Sequence, residues 1–353
     1  MNRFRCYLLS TLAVSITAGC AGATNNAVFS ASRTLPQPDR IRPALTAAFS
    51  RLYVANSGNN TVTMYLHPVR KLKQTISDNI QWPVSVAVDS SGTTYVANCG
   101  GACNGNGSVA VIGKNGKKVR LITDDISRPE SVAVDPQGNL YVASVGRLFT
   151  THYNRSPSIA MYAPGSKSPA VRITSGVAQP STVALDESEN VYVANHGFVT
   201  EYAPQLGSVI RYINIRAPLA FAFDASGNLY VGNNGRNRSD VEAYAPGQTS
   251  PFETITEGVN QPYAMTMDPA GNLYVANTFG NNVTVYALGT TTPFATISQG
   301  VSQPRGIILD GDGNVYVANA SANSVTEYAA GNFSLIQTIT DGVNYPQWLA
   351  FGP

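Results

Sequence analysis

The chain has 353 residues, 31 Gly, 21 Pro and 18 Tyr, and only 12% of it is charged. Many turn formers with few Lys and Glu favour short strands over long helices. The formal net charge is +2, with no basic stripe and no acidic run, which argues against nucleic acid and anionic membrane surfaces as partners.

In chain order, residues 1–19 read as an export leader. Arg3 and Arg5 form a positive start, and Tyr7 to Ile16 supply an apolar stretch too short to span a bilayer. The following Thr17-Ala18-Gly19-Cys20 resembles a bacterial lipobox and makes Cys20 the expected lipidation site. Ala21-Gly22-Ala23 offers a competing small-x-small cleavage that would release a soluble protein. Expected localisation is therefore a cell-envelope lipoprotein, with secreted or periplasmic release as the alternative. Residues 20–43 show no period and read as a flexible tether.

From residue 44 to 353 one unit repeats. Tyr-Val-Ala-Asn, or a near copy, begins at Tyr53, Tyr95, Tyr141, Tyr192, Tyr230, Tyr274 and Tyr316, at a mean spacing of about 44 residues, within the range of propeller blades. Each copy predicts four strands. In one of them, Pro262 to Asp268 is an inner strand; a Pro-Ala-Gly-Asn turn leads to Leu273–Asn277, then Val283–Tyr286 and Phe294–Ile297. The fold expected is all-β, a seven-bladed β-propeller of four-stranded antiparallel blades. Residues 346–351 form an inner strand with no second strand after it, and residues 52–56 a second strand with a degenerate predecessor. The C-terminus is thus expected to complete the first blade, unless residues 47–50 supply that strand.

The unit Gly-Asn-Leu-Tyr-Val-Ala-Asn, a following Asn-x-Val, and the Pro heading each next repeat resemble the NHL-type repeat of six- and seven-bladed propellers, over nearly all of 47–353. Here Asn stands where that family more often has Asp. The resemblance implies a propeller with its ligand face at the loops entering the inner strands. Relatives of this kind include binding scaffolds, streptogramin lyases and lactonases.

On that face the residues following each Pro should ring the channel mouth: Val84, Glu130, Ser181, Leu219, Tyr263, Arg305 and Gln347, with Trp348 where other repeats hold a small residue. They differ while the frame repeats, as expected of a binding surface on a repeat scaffold. Expected ligand contacts are Glu130, Tyr263, Arg305, Gln347 and Trp348, for an unknown peptide, glycan or protein. A monomer without cofactor or bound metal is expected, reaching the membrane only through a lipid anchor. The alternative is a lyase or lactonase-type hydrolase built on Glu130, His152 and His196. Cys99 and Cys103, four apart in a Gly-rich loop of an exported chain, are an expected disulfide. The Asn closing each Tyr-Val-Ala-Asn and the Asp opening each turn read as frame residues.

Overall fold

A computed structural model of the chain describes residues 51–66, 71–103, 107–146, 156–235 and 238–353. The leader, the tether, Cys20, residues 47–50 and His152 lie outside them. The described residues form seven four-stranded antiparallel sheets, the blades of an all-β propeller. Blades 2 to 7 begin with the inner strands Pro83–Val88, Pro129–Val134, Thr182–Leu185, Pro218–Phe223, Pro262–Met267 and Pro304–Leu309.

Blade 1 is closed as the sequence predicts. Its inner strand is the C-terminal Pro346–Gly352, paired antiparallel with Arg51–Asn56 so that Val54 faces Leu349 and Ala55 faces Trp348. The first and last strands of the chain thereby share one sheet, leaving no open edge at the ring's seam.

Burial follows from a period of two. Second strands such as Leu273–Asn277 are buried at every position, whereas outer strands such as Leu335–Ile339 alternate between exposed and covered. In blade 1, Tyr53 and Ala55 pack with Val86 and Val96 of blade 2. Leu52 and Val54, on the opposite face, pack with Tyr316 and Val325 of blade 7. Each of the seven apolar clusters spans two neighbouring blades, so the core consists of blade interfaces. The large-then-small inner-strand pattern fits: Val86, Val132, Ile307 and Leu349 are buried. Blade 5 reverses it, with Ala222 buried and Phe221 only partly covered.

Two polar devices repeat with the apolar pattern. At one end of the blades Asp89, Asp135, Asp186, Asp224, Asp268 and Asp310 accept, through Oδ1, the backbone N–H four residues on, at 2.7–2.9 Å. The other carboxylate oxygen takes the hydroxyl of the blade's Tyr in five of these turns. Burial, with Asp89 alongside, pushes Tyr95 up to about 12, so that phenol remains a donor at physiological pH.

At the other end stand Asn56, Asn98, Asn195, Asn233, Asn277 and Asn319, none more than 3% exposed. Each Oδ1 accepts a backbone N–H from the loop entering its blade's inner strand, those of Asn344, Gln81, Ala178, Ala217, Asn260 and Ser302, at 2.9–3.2 Å. Several Nδ2 groups bond threonines of the third strand, as Asn277 does Thr284 at 3.0 Å. These buried carboxamides are spent on the frame.

Deleting residues 346–353 removes the strand that closes the ring and exposes two blade interfaces. The expected cost is on the order of 5 kcal/mol or more, seen as loss of a cooperative thermal transition; unchanged melting would refute this closure. Asn277→Ala removes the acceptor of the Asn260 N–H together with the buried bonds of the carboxamide to Val275 O and Thr284 Oγ1 and should cost about 1–3 kcal/mol in chemical denaturation. Unaltered stability would show that the carboxamide does not hold the loop.

Candidate functional site

The loops held by the Asn carboxamides deliver their residues to the channel mouth, and a backbone irregularity aims them. In blades 2, 3, 5, 6, 7 and 1 the inner strand skips one position of its pairing just after the Pro, as between Pro262 and Ala264. The skipped residues are Val84, Glu130, Leu219, Tyr263, Arg305 and Gln347. An extra residue in a bulge is freed from the ladder, so its side chain turns toward the channel.

All six line one cavity of about 320 Å³, together with Ser181 and Trp348. The structure thus brings every residue of the sequence-derived ring to a single site. That volume falls in the range of small-molecule pockets.

A second set of lining residues escaped the sequence reasoning. Trp82, Arg128 and Tyr345 each precede the Pro, with φ of 51°, 50° and 48°, and all three line the cavity. Gln179, Gln261 and Gln303 hold the same position and the same left-handed backbone without lining the cavity, so the conformation is shared by the frame and only these three side chains, Trp82, Arg128 and Tyr345, reach the site. The fixed spacing to Pro was the signal available. Ser85, Ser131, Thr182 and Cys103 complete the wall, Cys103 in its disulfide with Cys99.

Arg305 is the most elaborately held of these groups. Its guanidinium carbon lies 5.1 Å from the ring centres of both Tyr263 and Tyr345, a cation–π clamp on two sides. One terminal nitrogen donates to Gln347 Oε1 at 2.8 Å and the other to the Tyr345 hydroxyl at 3.2 Å. Gln347 is fixed in turn by donating to Ser57 Oγ at 2.9 Å. Arg305 Nε is buried without a hydrogen-bond partner, and no carboxylate pairs with the guanidinium among the described residues. Burial raises the pKa of Tyr263; Arg305 opposes that rise, and Glu130 and Tyr345 add to it.

Glu130 is paired instead with Arg128, whose Nε donates to its Oε1 at 3.0 Å. Burial raises the Glu130 pKa, and the Arg128 guanidinium opposes the shift. Most wall hydroxyls are engaged in ties between blades: Ser85 Oγ accepts from Val132 N–H, Ser131 Oγ from Val183 N–H, and Thr182 donates to Leu219 O.

His196 is not at this site. It sits exposed on the hairpin after Val191–Asn195, its backbone N–H bonded to Ala178 O at 2.8 Å, and does not line the cavity. Turn geometry explains the residue, since a two-residue hairpin loop points its side chain to solvent. Among the described residues no group of three His, Cys, Asp or Glu side chains is placed to hold a metal ion. Of the trio, Glu130 lines the cavity and His196 does not, and His152 lies outside the described residues.

The fold and site define a seven-bladed propeller with one aromatic and charged cavity at its channel mouth. Residues 220–353 match the family described as SMP-30/gluconolactonase/LRE-like region, and residues 117–149 the strictosidine synthase-like N-terminal family. Each match spans under half of the chain and supports likeness to these propellers, without carrying the narrower NHL-type assignment. Among solved structures, a functionally unknown protein from Desulfotomaculum acetoxidans is similar at 11% identity and a TM-score of 0.68, over 86% of this chain and 99% of that one. Hydrazine synthase of Kuenenia stuttgartiensis is similar at 17% identity and a TM-score of 0.67, over 80% and 93%. At such identities the likeness is one of fold. No curated protein matches the chain.

The raised Glu130 pKa predicts a pH effect. The folded protein holds this proton more tightly than the unfolded chain, so the group's contribution to stability is full below pH 4.5 and is lost as pH rises through the folded value. In melts of Glu130→Gln at pH 4 and pH 7, the variant should gain on the natural protein at the higher pH. A relative loss there would mean that pairing with Arg128 outweighs burial.

Proposed function

We propose that this protein is an exported, non-catalytic binding propeller of the cell envelope that holds a peptide, a glycan or a segment of a protein partner in the channel-mouth cavity, with Cys20 as its lipid anchor. The observation that carries the reading is the convergence of positions that differ from blade to blade on one cavity, while most positions of the frame repeat. Tyr263, Tyr345, Trp82 and Trp348 supply the amphipathic aromatic area that binding surfaces favour. Arg305, Glu130 and Gln347 supply orientation.

The match of residues 220–353 to a family whose description includes gluconolactonase favours a second reading, a lactonase-type hydrolase with Glu130 as its base. Geometry favours the binder, because the exposed His196 is no partner for Glu130.

The test presents defined peptide and glycan arrays to residues 44–353. Binding lost by about tenfold or more in Tyr263→Ala and in Trp348→Ala, each with unchanged melting, supports the reading; binding indifferent to both substitutions refutes it. Stoichiometric divalent metal that disappears from a His152→Ala, His196→Ala double variant would favour the enzyme. For the full chain, membrane sedimentation that survives Cys20→Ser would refute the anchor.

A further inference from the structure

The cavity's charges are unequally satisfied. Glu130 has Arg128 as its ion-pair partner at 3.0 Å. Arg305 is held by two aromatic rings, a carboxamide and a phenol, all neutral groups that fix a guanidinium in place and leave its charge intact. Of its five N–H donors, the buried Nε–H lacks an acceptor, and the two terminal nitrogens, with two N–H groups each, donate one bond apiece to Gln347 and Tyr345. The cavity therefore carries an uncompensated positive charge on a pre-oriented planar fork, in a site drier than bulk water. Such a fork matches an oxyanion far better than a neutral ligand.

Three features restrict which oxyanion. There is one uncompensated cation, and the Glu130 carboxylate lines the same cavity; a dianion such as phosphate would meet repulsion that a monoanion largely avoids. Trp82, Trp348, Val84 and Leu219 give part of the wall an aromatic and apolar surface beside the hydroxyls of Ser85, Ser131, Ser181 and Thr182, and that part suits a flat or apolar body attached to the charged head. The volume of about 320 Å³ admits a ligand, or the end of a chain, of roughly amino-acid to monosaccharide size.

We propose that the cavity recognises an organic carboxylate, a small molecule or chain end whose carboxylate sits on Arg305 and whose body packs against Trp82 and Trp348. The inference rests on the binding reading above and narrows it to one chemical class. Arg305 is then the specificity-determining residue, with Tyr263, Tyr345 and Gln347 as its positioning residues.

The sequence provides a reporter. The chain has two tryptophans, and both line the cavity, so intrinsic tryptophan emission reports on this site alone. Phenylacetate, phenylacetamide and inorganic phosphate are titrated into the purified protein. Phenylacetate should change the emission saturably; its uncharged amide should bind about tenfold or more weakly, because charge-assisted hydrogen bonds are lost; and phosphate should neither change the signal nor compete. In Arg305→Gln, with folding checked by circular dichroism, acid and amide should become equivalent.

Equal affinity for acid and amide in the natural protein overturns the inference without relying on any variant. So does competition by phosphate at the same concentration, or emission unmoved by all three probes. Failure here leaves the broader reading to the array experiment, where Tyr263 and Trp348 decide the outcome whatever the ligand's charge.

Discussion

The buried carboxamide at the end of each second strand is the interaction on which both frame and site depend. A loop running into the inner strand must satisfy its backbone N–H groups while turning sharply at the channel. The Asn side chain supplies the acceptor from inside the blade, at 2.9–3.2 Å in six blades, and its amide is bonded in turn to the third strand or a neighbouring loop. With that loop fixed, the bulged residue after the Pro reaches the cavity in six blades, and the left-handed residue before it does so in three. Precision at the mouth is thus inherited from a buried hydrogen bond.

Blade 3 departs from this rule and shows what it costs to do so. It has Ser144 where the others have Asn, and a serine is too short to repeat the carboxamide's reach. The same blade contributes Arg128 and Glu130, whose mutual ion pair spans the two positions flanking its Pro. Where the carboxamide is missing, the loop is tied through its backbone, the Arg128 and Ser127 carbonyls accepting the Val145 and Gly146 N–H groups at 3.0 and 3.1 Å. The ion pair occupies the one cavity carboxylate with a partner from its own blade, which leaves Arg305 across the mouth as the charge without a counter-ion.

Much of the architecture was legible because it is written seven times. Tyr-Val-Ala-Asn, the Pro ahead of each inner strand and the orphan strand at the C-terminus each have a direct structural counterpart, down to the pairing of Pro346–Gly352 with Arg51–Asn56. The ring Val84 to Trp348 could be read from its fixed offset to Pro. What stayed hidden depends on backbone detail that residue types do not announce. A one-residue skip in pairing leaves no trace in composition, so the reason Tyr263 or Arg305 faces inward was not available. Trp82, Arg128 and Tyr345 were missed because a residue before Pro is ordinarily extended, whereas here it is left-handed. His196 looked like a candidate because a hairpin loop on the right face says nothing about where the ring points.

Trp82 shows how such a strained position becomes useful. It is 42% exposed, and its φ of 51° is a conformation that bulky residues adopt only when their surroundings over-determine it. Three backbone ties do so here: its N–H donates to Asn60 Oδ1 at 2.7 Å, its carbonyl accepts the Cys99 N–H at 3.1 Å, and the Gln81 carbonyl accepts the Gly100 N–H at 3.3 Å. Cys99 is itself fully buried and bonded to Cys103, which reaches the cavity wall. The Gly-rich stretch around these cysteines would be free to wander without a crosslink, and with it the carbonyl and amide groups that hold Trp82. The disulfide therefore belongs to the site as much as to the fold, because it keeps an indole face in place before any ligand arrives and so lowers the ordering cost that a ligand must overcome.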